Sequence, residues 1–124
     1  MKFTLDSRND INLIRGYGPG EVRIAELVQH APCIVTADRL ILDWPVSALA
    51  TLSVADLDAV FALQPDVVLM GTGPKQIFPG SGIRQAFAMR RIGLEVMDLG
   101  AACRTYNILV QEERRVAAVL FPAG

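Results

Sequence analysis

"LEVMDLGAACRTYNILVQEERRVAAVLF", residues 94–121, decides the fold. It opens on the apolar run "LEVMD" and passes through a small-residue turn at "LGAAC". It then sets Ala102, Tyr106 and Leu109 at helical spacing and turns at "ERR" into a last apolar run, "VAAVLF". A strand, a helix over about Ala101–Glu113 and a buried strand follow from that order. Two strands joined by a crossover helix pair in parallel with a right-handed connection.

Working outward, "DVVLM" at 66–70 has the continuous aliphatic character of a strand covered on both faces. A helix over about Gly82–Arg91 groups Ile83, Ala86, Phe87 and Arg90 on one side, with Gly93 as its left-handed cap. Ser53 is placed to cap a further helix in "VADLDAVFAL", stopped by Pro65. The first half reads as short strands at Lys2–Leu5, Asn12–Tyr17, Glu21–Ala25, Cys33–Thr36 and Leu40–Asp43, punctuated by Gly16, Gly18, Pro19, Gly20 and Pro32. The expected architecture is one α/β domain over 1–124, with parallel strands joined by crossover helices and an added antiparallel layer from the first half.

With 124 residues, 52% of them hydrophobic and 20% charged, the chain can bury a core without disulfides or metal. Twelve Lys and Arg against 13 Asp and Glu leave a net charge of −1, which supplies no field for nucleic acid or an anionic membrane. Cys33, Cys103 and the single histidine, His30, offer no zinc spacing, so no metal or cofactor is expected. The charged start "MKFTLDSRND" is not a signal peptide and no apolar run reaches membrane-span length, so a cytoplasmic location with reduced thiols is expected.

In a parallel sheet, loops after strand C-termini gather on one edge, where ligands bind. Two loops qualify: Gly71, Thr72 and Gly73 after "DVVLM", and Asp98 onward after "LEVM". The first lacks the residues of a P-loop and is not a GxGxxG, so a close-packed turn is favoured over a nucleotide site. Cys103 in the first turn of the last helix is open to two readings, a thiol activated by helix amides with Arg104 beside it or an inert core residue, the second favoured because no base lies near. Asp98 reads as a helix cap, or as a partner of Arg104. Tyr106 and Asn107 either line a groove or pack. His30 and Cys33 read as a solvated turn residue and a core residue. Trp44–Pro45 and the loop "KQIFPGSG" offer exposed apolar rims of the kind found at partner surfaces, or fold back over the core.

The combination of "PDVVLMGTG", the "FP" that follows, and "GLEVMDLGAACRTYNILVQEERRVAAVLFP" resembles domain-of-unknown-function family 498 over nearly the whole chain. The resemblance implies a Mth938-like fold: three layers, a mixed central sheet and a smaller β layer. It also implies a cleft near the Gly-Thr-Gly turn, with Gly71, Thr72, Gly73, Asp98, Cys103, Arg104, Thr105 and Asn107 as candidate ligand-binding residues and none as catalytic. The family includes small bacterial and archaeal proteins, an adipogenesis-associated protein and a mitochondrial assembly factor for respiratory complex I. It implies a non-catalytic binding or assembly module of bacterial type that works through protein partners. The alternative is a small-anion-binding or thiol-dependent enzyme built on Cys103 and Arg104.

Overall fold

The computed structural model describes residues 10–124; the strand expected at Lys2–Leu5 lies outside them. Among the described residues, eight strands form two sheets. Strands β1 (Ile14–Gly18), β2 (Glu21–Ile24) and β3 (Leu27–Gln29) make an antiparallel sheet in that order. A five-stranded sheet has the order β5-β4-β8-β6-β7, from β4 (Cys33–Val35), β5 (Leu40–Ile41), β6 (Val67–Gly71), β7 (Gly93–Met97) and β8 (Val116–Leu120). β6 pairs in parallel with β7 and β8, whereas β4 is antiparallel to both β5 and β8, so the central sheet is mixed. The first half therefore divides: β1–β3 form the smaller layer, and β4 and β5 extend the central sheet.

Helix α1 is Asp58–Phe61, α2 is Ser81–Met89 and α3 is Leu99–Gln111. Strand residues alternate between two cores, as the two-residue period of a pleated strand requires. Cys33, Val35, Leu69, Ala118 and Leu120 pack with α3 and the small sheet, through Tyr106, Ala102, Ile14, Val22 and Ile24. Ile34, Val68, Met70, Ala117 and Val119 pack with α2, through Phe87 and Ile83, and with Leu57 and Val60. The two crossover helices thus cover opposite faces, as right-handed connections demand when the chain steps outward from β6 to β7 and back to β8.

Several boundaries differ from expectation. The segment capped at Ser53 is a 3-10 turn (Ala55–Leu57) running into the four residues of α1, not a ten-residue helix. Ser53 still ties the start, though from one residue ahead of the N-cap position: its Oγ accepts from Asp56 N at 3.3 Å, and the Asp56 carboxylate accepts in return from Ser53 N at 2.8 Å. Arg91, at φ 58°, takes the left-handed position after α2 that was expected of Gly93, which instead begins β7. Ala25, at φ 54°, turns the chain from β2 into the short β3. Trp44 is no exposed rim: it is 5% exposed, packs on Phe121 with ring centroids 5.8 Å apart, and donates its indole N–H to Asp56 O.

Candidate functional site

β6 and β7 are adjacent and parallel, but their outgoing chains leave for opposite faces, β6 toward α2 and β7 toward α3. That is the switch point at which open α/β sheets accept ligands. Here the two loops are stitched together. Thr72 N donates to Met97 O at 2.9 Å, and Leu99 N donates to Gly73 O at 2.8 Å. The two segments expected to meet do meet.

Each residue of the turn has a local reason. Gly71 lets β6 lie against α3, because a Cβ there would stand 2.9 Å from the Ala102 Cβ and 3.1 Å from Leu120 Cδ2. Gly73 has φ +85° and would place a Cβ 2.7 Å from Gly124 N. Thr72 is fully buried; its hydroxyl accepts from Ile77 N at 3.0 Å and donates to Lys75 O, which closes the loop on itself.

Asp98 caps α3, its Oδ1 accepting from Ala101 N at 2.9 Å. Cys103 is 2% exposed, and burial pushes its thiol from 9.0 up to about 12 against the opposing pull of the adjacent Arg104 guanidinium. Cys33 is likewise raised to about 12 by burial, with a smaller contribution from Cys103. A thiol held in its neutral form does not supply the thiolate that the enzymatic alternative requires. Asn107 lies along α3 against β1: its Oδ1 accepts from Ile14 N and its Nδ2 donates to Ile14 O, both at 2.9 Å. Tyr106 Oη donates to Asn12 O at 2.7 Å. Thr105 is half-buried on the same helix.

Of the sequence candidates, Gly73, Asp98 and Arg104 line a groove of about 690 Å³. Its other walls include Tyr17, Pro19, Leu99 and Pro122. Gly71, Thr72, Cys103, Thr105 and Asn107 are not in its lining. Tyr17 is the residue that sequence reasoning missed. Its ring seats on Gly100, where a Cβ would come within 2.8 Å of Tyr17 Cε1, and its hydroxyl accepts from Arg104. The Arg104 guanidinium lies 5.9 Å from the centre of that ring. The signal was available in "GYG": a large aromatic between two glycines at the end of an edge strand, three residues ahead of another glycine.

A profile of proteins of unknown function, DUF498/DUF598, matches residues 14–121 and so takes in both sheets, the stitched loops and all of the groove's lining except Pro122 and Ala123. The chain belongs to that family. The DUF498/DUF598 chain is 32% identical over 112 residues to a zebrafish (Danio rerio) protein named NADH dehydrogenase [ubiquinone] 1 alpha subcomplex assembly factor 3. That match takes in 89% of this chain and 64% of the relative's length. It is 31% identical over 91 residues to the "13 kDa major membrane protein" of Francisella tularensis, covering 72% of this chain and 73% of the relative. Among solved structures, a Xanthomonas campestris protein superposes with a TM-score of 0.85 at 40% identity, over 91% of this chain and 86% of that one. A Bordetella pertussis protein described as a Mth938-like domain gives 0.75 at 29% identity, over 91% and 87%. The fold is Mth938-like. Among the described residues, no helix is long and apolar enough to cross a membrane.

Proposed function

We propose that this chain is a non-catalytic binding module that holds a protein partner in the groove during assembly of a larger, respiratory complex. The observation that carries the reading is the pairing of Tyr17 and Arg104 at the groove. Tyr17 is 40% exposed and Arg104 is exposed beside it, on a floor of prolines, glycines and Leu99. Tyrosine and arginine supply much of the energy at protein interfaces, because each combines a large flat contact surface with hydrogen bonding. Rigid backing lowers the entropy lost on docking, and here the tie between the two loops and the Gly100 seat provide it. Similarity to proteins named as complex I assembly factors supports the class of partner. Gly73, Asp98 and Arg104, with Tyr17, are the residues assigned to contact. The cytoplasm is the compartment assigned, consistent with two free buried cysteines.

The test is quantitative co-purification from cell extract under mild salt, comparing the parent chain with Arg104→Glu. The reading expects a partner enriched by the parent and reduced at least tenfold by the variant. Equal recovery by both, or recovery by neither, counts against it.

A further inference from the structure

We infer that the outer edge of β7 is a second docking surface, which takes an extended segment of another protein as a sixth strand of the central sheet. Its occupant carries apolar residues at every second position and a basic residue opposite Glu95. β7 is the end strand of the order β5-β4-β8-β6-β7, so among the described residues it has a neighbour on one side only. Gly93 N donates to Asp66 O and Met97 O accepts from Thr72 N, which turns Gly93, Glu95 and Met97 toward β6. By the alternation of a parallel ladder, the backbone groups of Leu94 and Val96 face outward. One of them already shows what the edge accepts: Gln76 Nε2 donates to Val96 O at 2.8 Å, in the place of an incoming strand's N–H.

The side chains beside this edge define the partner. Toward α2 lies a notch of about 660 Å³, in which the apolar Phe78, Phe87, Leu94 and Val96 alternate with polar groups such as Gln76 and Arg84. Phe78, 60% exposed, stands at its rim with the Arg84 guanidinium 5.9 Å from its ring centre. An added strand presents every second side chain to that face, so apolar residues belong at those positions. On the other face Glu95 is exposed. A cross-strand neighbour lies about 5 Å away, where opposite charges stabilise and like charges repel. A basic residue therefore fits across from Glu95. The same carboxylate disfavours a second copy of this chain, because the antiparallel register that uses all of Gly93–Met97 sets Glu95 against Glu95. Gln76 acts as a removable guard on an edge that would otherwise pair indiscriminately. The edge shares no lining residue with the groove, so the two surfaces succeed or fail separately.

The experiment titrates the chain with two synthetic nine-residue peptides, one alternating valine and lysine and one alternating valine and glutamate, and follows backbone amides by NMR. The valine-lysine peptide should shift Leu94 and Val96 and slow their amide exchange at millimolar concentration, at least fivefold more tightly than the valine-glutamate peptide. Glu95→Lys should invert that preference, and Gln76→Ala should tighten binding several-fold. Val96→Pro removes an outward N–H without touching the β6 ladder and should weaken binding at least tenfold. Equal affinity for both peptides, shifts that map away from β7, or no binding at millimolar peptide overturns the inference. Concentration-dependent dimerisation through β7 in sedimentation, with no peptide effect, overturns it in favour of a second copy.

Discussion

Replacing Asn107 with alanine tests whether this side chain is structural mortar between α3 and the small sheet. The amide closes a two-point bridge on the backbone of Ile14, with both bonds at 2.9 Å, across 93 positions of sequence. Each such bond contributes about 1 kcal/mol net, and losing the partner strands an N–H and a C=O beside the buried Ile14. Partial access of water to the half-buried Asn107 offsets some of that cost, which leaves about 2 kcal/mol. For a chain of this size that corresponds to a fall of roughly 6–10 °C in Tm. Urea unfolding measures the free energy, and amide exchange locates it: the Ile14 amide should exchange roughly 30-fold faster, the factor equivalent to 2 kcal/mol. Asn107→Asp sharpens the test, because a carboxylate still accepts from Ile14 N but sets a charged oxygen against Ile14 O where the amide donated, so it should cost at least as much as alanine. A Asn107→Ala chain within about 0.5 kcal/mol of the parent, with Ile14 exchange unchanged, would refute the reasoning.

Glycine substitutions should separate crowded positions from open ones. Gly71→Val should cost about 1–3 kcal/mol by pushing α3 off β6, whereas Gly82→Ala, with open space around its Cβ and a place in α2, should stabilise by about 0.5 kcal/mol; thermal melts read both. Cys103 should alkylate at pH 8 no faster than the chain unfolds, and a rate matching a free thiol would contradict its burial. The sign of the alkaline effect follows from the raised thiols. Both folded values, about 12, lie above 9.0, so their stabilisation is full below pH 9 and is lost as pH rises toward 12, by about 1.4 kcal/mol per pH unit for each thiol. Urea midpoints at pH 8 and pH 10 should show that fall, and Cys33→Ala combined with Cys103→Ala should flatten it.

The parts of the fold that were legible are those whose signal is continuous. The aliphatic runs of β6 and β8 sit between two cores, so every residue in them is apolar, and Asp98 ahead of "LGAAC" marks a helix start by capping chemistry alone. The crossover order then dictated the meeting of the two loops. Short elements were less legible because packing, not propensity, makes them. β3 exposes Leu27 and Val28 and exists only because Ala25 accepts a left-handed turn. The Ser53 segment buries little beyond Leu57 and Val60, too few residues to hold a long helix. Trp44 beside a proline resembled a surface feature until Phe121, 77 positions later, came to rest on it. Within the site, Arg104 was legible as a charge among small residues that must reach water. Its companion Tyr17 was not, because 87 positions separate them and only the docking of β1 on α3 brings them together.

The proposed groove is tested most directly by placing a photoactivated crosslinker at Gly18, on its lining, and another at Arg39, which lines a separate pocket. Crosslinking in living cells should join a discrete protein to position 18, and that adduct should disappear in the Arg104→Glu background while position 39 yields none. An adduct at position 39 that equals or exceeds the one at 18, or an adduct at 18 indifferent to Arg104, would contradict the account.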